Sequence, residues 1–295
     1  MGTFRAASIL TGFFAMTVPL MPVQAVLLKV SPKGARRFPH WYHRQVCRLF
    51  GIRLHIDGAV LSDKPVLLVA NHTSWLDITV LSAVAPLSFI AKKEVAGWPF
   101  VSWLAKLQRS VFVDRQRRSA VGDTTNEIME RLATGDTVVL FAEGTSSDGN
   151  RVLPFKTSLF AAAKPPAKVA AAGGADTADV VLQTLSLVYT RLHGVPINRW
   201  ARPIVGWFGD MEMQSHAWSL LKAGPLDVCI RIGAPIPLED FADRKDLARR
   251  SEAEIRENVV RLLRSYPEDA EIVVTAPAAE DRTSALPSRS SSVFR

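Results

Sequence analysis

Short apolar runs alternate with amphipathic stretches through the middle of the chain. The runs Val66–Ala70 and Thr137–Phe141 are almost entirely apolar, which indicates strands that are buried on both faces. Further strands are predicted at 53–56, 88–91, 110–113, 182–189 and 227–232, and helices are predicted to begin near Ser74, Trp98, Ala120, Lys156 and Leu247. This alternation predicts the α/β class, with a mixed sheet flanked by helices.

The ends of the chain differ in composition from this central region. Residues 161–178 are rich in Ala, Pro and Gly, which predicts the end of a helix followed by a mobile loop. From about residue 276 the chain is rich in Ser, Pro, Ala and Arg, which predicts a disordered tail. The predicted domains are therefore an N-terminal segment over 1–50, a central domain over 51–275 and a tail over 276–295.

The N-terminal segment contains no charged residue from Ala6 to Leu28. A helix of that length can cross a bilayer core of roughly 30 Å at about 1.5 Å per residue. Pro19 and Pro22 are also compatible with a kinked helix that lies in the interface. Val23-Gln24-Ala25 resembles a small-residue cleavage site, so a cleaved signal peptide is the alternative. We predict a membrane-associated helical anchor.

The net charge of the chain predicts the kind of partner that it binds. The formal net charge of +8 and the pI of about 9.8 predict an anionic partner, either nucleic acid or a membrane surface. Basic residues crowd the C-terminal side of the apolar segment, whereas Arg5 alone precedes it; they are Lys29, Lys33, Arg36, Arg37, Arg44, Arg48 and Arg53. This asymmetry places the rest of the protein at the cytoplasmic face of the inner membrane.

The basic segment also contains aromatic residues, namely Phe38, Trp41, Tyr42 and Phe50. The combination predicts an amphipathic segment on an anionic membrane, although an ordinary solvated basic face has the same composition. No nucleic-acid-binding signature occurs, so no nucleic-acid partner is expected. The two cysteines, Cys47 and Cys229, form no disulfide framework or metal-binding pattern, and they favour a reducing compartment.

Candidate chemistry begins where the first buried strand ends. Asn71-His72-Thr73-Ser74-Trp75-Leu76-Asp77 follows Val66–Ala70, which places His72 in a turn between a strand and a helix. Histidine is suited to accept a proton near neutral pH, and a carboxylate can fix its tautomer. The same residues also fit a helix cap, in which Asp77 bonds back to Ser74. These residues alone leave both interpretations open.

Two more polar segments follow apolar runs. Glu143, Gly144 and Thr145 come directly after the strand Thr137–Phe141, where a polar ligand could approach the backbone closely. An ordinary polar turn has the same composition. Lys92 and Lys93, with Arg115 beyond Val111–Val113, could bind a phosphate or carboxylate, whereas Arg117 and Arg118 fit a solvated face.

These segments together resemble the conserved boxes of the 1-acylglycerol-3-phosphate acyltransferase family. The segment from His72 to Asp77 resembles the family's His-x4-Asp box (HX4D), and Val111 to Arg115 resembles its second box. Phe141-Ala142-Glu143-Gly144-Thr145 is similar to the third box, Phe-Pro-Glu-Gly-Thr-Arg, and Leu153-Pro154-Phe155-Lys156 resembles the sequence after it. The order and spacing agree over roughly residues 50 to 235.

The resemblance implies a membrane-bound enzyme that moves a fatty acyl group from an acyl-ACP or acyl-CoA donor to a lysolipid hydroxyl. His72 would accept the hydroxyl proton and Asp77 would orient the imidazole, so no enzyme nucleophile, metal or cofactor is implied. The residues implied in substrate binding are Arg115, Glu143, Gly144, Thr145, Arg151 and Lys156. The acceptor implied first is lysophosphatidate, which would give phosphatidate for phospholipid biosynthesis.

Departures from the family pattern bear on this acceptor. Ala142 replaces a proline and Ser146 replaces the third-box arginine, which in the family helps to bind the acceptor's phosphate. Arg109 stands where the family has a glycine, and the fourth-box Val-Pro pair is unclear because Pro196 comes late. These changes resemble the bacterial lyso-ornithine lipid O-acyltransferases, whose acceptor has an amino-acid headgroup. Asp148 could then bind its ammonium group.

Two functions of other classes explain part of the sequence. A non-catalytic protein that binds anionic membranes needs only the apolar segment and the basic segment. A lipid hydrolase would use Ser74 as its nucleophile, although the chain has no Gly-x-Ser-x-Gly motif. Neither function accounts for three boxes in family order.

Overall fold

The computed structural model describes residues 2–113, 121–161, 180–264 and 271–274. Side chains are described over the same ranges except at 121–126, 161 and 271–274. Arg115, Arg117, Arg118, the predicted loop at 161–178 beyond its first residue and the predicted tail at 276–295 lie outside the described residues.

Helices and strands alternate through the described part of the chain. The α-helices there are α1 Gly2–Val30, α2 Pro32–Phe50, α3 Leu76–Val84, α4 Val101–Leu107, α5 Val121–Ala133, α6 Met213–Ala223 and α7 Arg244–Arg264. The strands there are β1 Ile52–Asp57, β2 Val66–Ala70, β3 Ser88–Lys92, β4 Val111–Val113, β5 Thr137–Phe141, β6 Val181–Leu192, β7 Val195–Pro196, β8 Leu226–Ile232, β9 Ile236–Pro237 and β10 Glu271–Val274. Each predicted strand is present.

Two helix predictions need correction. Near Lys156 the described chain forms a 3₁₀ helix at Thr157–Ala161 in place of an α-helix. Near Trp98 a 3₁₀ helix, Lys93–Gly97, comes first, and α4 starts only at Val101. Phe100 lies between them with a φ of 64°, a conformation that interrupts a continuous helix. Helix α6 was not predicted.

The strands form one mixed sheet, as predicted. Its order is β10-β1-β8-β6-β2-β5-β3-β4, and the short strands β7 and β9 also pair with β6. Strands β6, β2, β5 and β3 are parallel, whereas β8 is antiparallel to β6. Because β2 and β5 are parallel neighbours, with Ala70 opposite Phe141, the two polar segments that follow them emerge side by side at one edge.

Helices cover both faces of the sheet. On one face, α1, α2, α3 and α6 pack on alternate strand residues such as Leu68 and Ala70. On the other face, α5 and α7 pack on the intervening residues, such as Leu67 and Val69. All five residues of β2 are therefore buried, which explains its continuous apolar sequence.

Helix α1 has one buried side and one exposed apolar side. Gln24 is buried, and its Nε2 donates to the carbonyls of Ala35 in α2 and Leu107 in α4, both at 2.9 Å. Pro19 and Pro22 lie inside this single helix, which is long and apolar enough to cross a membrane. Its exposed large hydrophobic side chains are Phe4, Phe14, Val18, Val23, Val26, Leu28 and Val30.

Helix α2 is part of the central domain's core as well as part of the basic N-terminal segment. Val46, Cys47 and Phe50 are buried in the core beside β1 and α3. Ser31 caps the helix by accepting the Gly34 N–H at 3.2 Å, and Gly51 ends it in the left-handed conformation at φ 75°. Helix α2 therefore ends at the domain boundary predicted at residue 50, and it packs against elements that follow that boundary.

Two of the basic residues assigned to the membrane have protein partners. Arg36 Nε lies 2.7 Å from the buried carboxylate of Asp136, and Arg53 Nε lies 2.6 Å from that of Asp227. An arginine that is engaged in this way contributes less to attracting lipid headgroups than a free one. Both side chains are also partly exposed, so the membrane-binding role predicted for all seven cations stays a prediction.

Arg109, which stands where the family pattern has a glycine, has an unusual backbone conformation. Its φ is 64°, in the left-handed region that glycine adopts readily and most other residues avoid. The guanidinium pairs with Asp136 at 2.5 Å, the same carboxylate that binds Arg36. We interpret this buried ion pair as the interaction that holds Arg109 in a conformation otherwise suited to glycine.

Candidate active site

The candidate site lies at the edge of the sheet where β2 and β5 end. Asn71 extends the pairing of β2 with β6 through its side chain, because Nδ2 donates to the Leu187 carbonyl at 2.9 Å and Oδ1 accepts the Leu187 N–H at 2.8 Å. This amide fixes the chain as it leaves the strand. His72 follows in the turn before α3.

His72 and Asp77 are in direct contact. His72 Nδ1 lies 2.8 Å from Asp77 Oδ2, which also accepts the N–H groups of Thr73 at 2.7 Å and Ser74 at 3.0 Å. Asp77 Oδ1 accepts the hydroxyl of Tyr189 at 2.6 Å. Asp77 is completely buried, so these four donors compensate for its loss of hydration.

The two interpretations of Asp77 are therefore compatible. Asp77 accepts the Ser74 N–H as a capping-box acid does, and it also contacts the imidazole. The reciprocal half of the box is missing, because Ser74 Oγ is buried without a partner among the described residues, and α3 begins only at Leu76. The burial of Ser74 also disfavours its use as a hydrolase nucleophile.

The imidazole of His72 is held flat but stays accessible. Its ring stacks on Phe141, with centroids 4.1 Å apart and planes at 17°, and 17% of the side chain is exposed. Because Nδ1 faces Asp77, Nε2 is the nitrogen available to a substrate. A carboxylate on Nδ1 favours the tautomer in which Nε2 is unprotonated and basic. This arrangement suits a general base.

Glu143 fixes the backbone on which this histidine stands. Its Oε1 accepts the His72 N–H and its Oε2 accepts the Leu153 N–H, both at 2.8 Å. Burial raises the pKa of Glu143 to about 7, and the negative charges of Asp77 and Glu252 add to the rise, although the two hydrogen bonds oppose it. Glu143 thus connects the first and third boxes beneath the site.

This buried acid predicts a pH-dependent stability. Between about pH 4.5 and 7 the folded protein retains a proton that the unfolded chain releases, so the free energy of unfolding falls as pH rises through that window. Glu143→Gln removes this contribution, which is about 3 kcal/mol at most. We expect denaturant unfolding at pH 5 and pH 7.5 to show a smaller pH-dependent loss in Glu143→Gln than in the wild type.

The matched control is Glu130→Gln, because Glu130 is an exposed residue of α5. Its pH profile should overlay that of the wild type. An identical profile in Glu143→Gln would contradict the raised pKa, whatever the absolute stability of that variant.

A segment beyond the three boxes crosses over both polar turns. We refer to residues 202–207 as the crossing segment. Trp207 N donates to the Thr73 carbonyl at 2.9 Å, and the Trp207 carbonyl accepts the hydroxyl of Ser146. Ser147 N in turn donates to the His72 carbonyl at 2.9 Å. The crossing segment therefore joins the His72 turn to the turn that begins at Glu143.

The predicted substrate-binding residues occupy different positions around this site. Gly144 is buried with a φ of 72°, and Thr145 next to it is exposed. Arg151 is exposed and lines one cleft together with Asn71 and Thr73 on either side of His72. Lys156 is exposed, and its N–H donates to the Ala142 carbonyl at 2.9 Å. Arg115 lies outside the described residues.

Sequence reasoning missed three residues that shape the site. Tyr189 and Phe141 were assigned only to strands, and Trp207 was not assigned to any element. Tyr189 alternates with Leu185 and Leu187 on the face of β6 that carries α3. A tyrosine at the end of a predicted buried strand was therefore the available signal, since a buried hydroxyl needs a partner. No comparable signal marked Trp207.

Within the described residues, no group of three or more His, Cys, Asp or Glu side chains is arranged to hold a metal ion. The chemistry that the side chains at this site themselves support is proton transfer to His72.

Comparison with known proteins extends this description. The model of the Acyltransferase family matches residues 51–188. A lyso-ornithine lipid O-acyltransferase of Brucella abortus is 47% identical over 255 residues, covering 86% of this chain and 94% of that protein. A 1-acyl-sn-glycerol-3-phosphate acyltransferase of Neisseria gonorrhoeae is 31% identical over 209 residues, covering 71% and 72%.

A lyso-ornithine lipid O-acyltransferase of Rhizobium meliloti is 41% identical over 263 residues, covering 89% of this chain and 88% of that protein. The crystal structure of the 1-acyl-sn-glycerophosphate acyltransferase PlsC from Thermotoga maritima aligns over 90% of this chain and 96% of its own, with a TM-score of 0.60. At 21% identity this last similarity concerns the fold alone.

Proposed function

Because this chain belongs to the Acyltransferase family and is an acyltransferase of lysolipids, we propose that its acceptor is lyso-ornithine lipid and that His72 is the base of the reaction. The observation that carries the mechanism is the contact between His72 Nδ1 and the buried Asp77, which leaves Nε2 as the basic nitrogen. The sequence alone had placed lysophosphatidate first.

In the proposed reaction His72 Nε2 accepts the proton of the acceptor hydroxyl as its oxygen attacks the thioester carbonyl. The tetrahedral intermediate then collapses, the carbon–sulfur bond breaks, and the imidazolium returns the proton to the departing thiolate. One ester forms and one thioester is consumed, so no external reactant is needed. Asp77 stabilises the transient imidazolium by its charge and through the bond to Nδ1.

Tyr189 and Glu143 hold His72 and Asp77 in position. Tyr189 occupies the second oxygen of Asp77 with a hydrogen bond, and its pKa is raised well above 10 by burial and by Asp77, so the phenol stays neutral and donates. Glu143 holds the His72 backbone from below. We propose positioning roles for both residues, because neither hydrogen bond involves an atom of the reaction.

The acceptor proposal rests on two observations. Two proteins named lyso-ornithine lipid O-acyltransferases share 47% and 41% identity with this chain, against 31% for a protein named 1-acyl-sn-glycerol-3-phosphate acyltransferase. In addition, Ser146 provides a hydroxyl bonded to Trp207 where the family's arginine would contact a phosphate. The loss of a permanently charged, bidentate group weakens phosphate binding specifically.

We further propose that the protein is attached to the cytoplasmic face of the inner membrane by α1 lying in the interface. One side of α1 is bonded to the domain through Gln24, and the Arg5 guanidinium donates to the Phe50 carbonyl at 2.8 Å. These bonds favour retention of α1 over its removal as a signal peptide. The exposed apolar side would contact acyl chains, and the site would then face the bilayer that supplies the acceptor.

A competition assay tests the acceptor. Purified protein in mixed micelles is given equal amounts of lyso-ornithine lipid and lysophosphatidate, once with an acyl-ACP donor and once with acyl-CoA. We expect ornithine lipid to form about tenfold faster or more, because the site lacks the phosphate-binding arginine. Preferential formation of phosphatidate would overturn the acceptor assignment and leave the acyltransferase assignment intact.

A further inference from the structure

Arg202 stands in the cleft although it lies outside the three boxes and outside the matched family segment 51–188. It opens the crossing segment, and its guanidinium Nη1 donates to Asn150 Oδ1 at 3.0 Å. Thr73 and Asn71 line the same cleft, so this guanidinium lies beside the turn that carries His72. Arg202 is therefore a cation near the site that does not belong to any of the three boxes.

The guanidinium is only partly satisfied within the described part of the chain. Asn150 accepts from its Nη1, but its Nε is buried without a hydrogen-bond partner among the described residues. Burial lowers the pKa of Arg202 and the charge of Arg199 lowers it further, against the opposing effect of Asp148, yet an arginine stays protonated. A partly buried cation with an unfilled N–H is unfavourable unless a ligand supplies the acceptor.

Charged groups of both signs lie around the Arg202 guanidinium. The Asp148 carboxylate accepts the Asn150 N–H at 3.0 Å and its side-chain amide at 3.2 Å, which fixes its position next to Asn150. Asn150 also accepts from Arg202, so one asparagine links the acid to the arginine. Burial raises the pKa of Asp148, but the hydrogen bonds from Asn150 and then the charge of Arg151 lower it overall. Arg151 and Arg202 thus line the cleft, and Asp148 directly precedes Gly149, which also lines it.

Ser146 joins the third box to the crossing segment that contains Arg202. Its hydroxyl is bonded to the Trp207 carbonyl, which anchors the segment that begins at Arg202. Gly149 lies between the two turns with a φ of 76°, and a Cβ at that position would be 3.1 Å from Thr73 Cγ2 and 3.9 Å from Arg202 Cβ. The serine in place of the box arginine therefore fastens the segment that carries the replacement cation.

We propose that Arg202 binds the carboxylate of an amino-acid headgroup and that Asp148 binds its ammonium. This inference rests on the acceptor proposed above and identifies the residues that recognise it. Asn150 holds Nη1 of this guanidinium, which leaves Nη2 to donate a charge-assisted hydrogen bond to a carboxylate. A phosphate monoester lacks an ammonium group, so Asp148 would repel it.

The test measures KM and kcat for Arg202→Gln with two acceptors, lyso-ornithine lipid and its analogue in which the carboxylate is a carboxamide. We expect KM for the natural acceptor to rise about 10- to 100-fold with kcat little changed, because a charged hydrogen bond is lost. KM for the carboxamide should be the same in both proteins. Arg202→Lys, which keeps the charge but loses the guanidinium, should give an intermediate KM.

Arg199→Gln is the matched control, because Arg199 is an exposed neighbouring cation and its loss should leave the preference for the carboxylate over the carboxamide unchanged. A preference retained in full by folded Arg202→Gln would overturn the proposed role while the acceptor assignment stands. If the wild type acylates lysophosphatidate and ignores lyso-ornithine lipid, the acceptor assignment fails, and this inference fails with it.

Discussion

His72→Ala should lower kcat about 10²–10⁴-fold with lyso-ornithine lipid as acceptor, while KM changes little. Among the described residues, the His72 imidazole is the basic group that contacts Asp77, and its side chain is 17% exposed. Without it the acceptor hydroxyl must lose its proton to water. Steady-state kinetics with a saturating acyl thioester, followed by release of free thiol, measures the loss.

Removing an imidazole that stacks on Phe141 leaves a cavity, so the folded state of His72→Ala must be checked by circular dichroism and thermal unfolding. A matched control is His193→Asn. His193 is exposed between β6 and β7 with a φ of 54°, which asparagine tolerates, and its replacement should leave kcat unchanged. Full activity in folded His72→Ala would refute the assignment of the base.

Asp77→Asn should lower kcat about 10³–10⁴-fold, by the same reasoning that applies to the acid of a catalytic triad. If the amide oxygen takes the place of Oδ2, the hydrogen bonds of Thr73 and Ser74 survive, but the imidazolium loses its counter-charge. If the NH₂ group takes that place, His72 adopts the tautomer in which Nε2 is protonated and cannot act as a base. Both outcomes impair proton transfer.

A double mutant separates this role from helix capping. If Asp77 acts through His72, adding Asp77→Asn to His72→Ala should lower kcat by little more than His72→Ala alone. A purely structural Asp77 would lower the free energy of unfolding in either background, and its effect on kcat would multiply with that of His72→Ala. Multiplicative effects on kcat would therefore count against the orienting role.

The sequence predicted the elements whose signal is local. Strand β2 was recognisable because each of its five residues is buried, and the turn after it was recognisable because polar residues follow at once. His72 and Asp77 could be paired from spacing alone, since five residues across a turn into a helix bring the two side chains together. These elements could be predicted without knowing which distant residues they contact.

The features that sequence could not supply depend on contacts between distant residues. Tyr189 reaches Asp77 across 112 positions, and Ser146 meets Trp207 across 61. Register in the sheet decides the first contact, because β6 extends past the end of β2 and carries its tyrosine over the site. The ion pair between Arg36 and Asp136, 100 positions apart, could not be predicted for the same reason.

The proposed reaction is tested most directly by the release of thiol from an acyl thioester, measured with lyso-ornithine lipid and with the same lipid lacking its acceptor hydroxyl. We expect rapid release with the hydroxylated lipid, matched mole for mole by new ester, and only background release with the deoxy lipid. Equal release with both lipids would show hydrolysis, and no release with either would show a protein that binds membranes without catalysis. Either result would contradict direct transfer to the acceptor hydroxyl by His72.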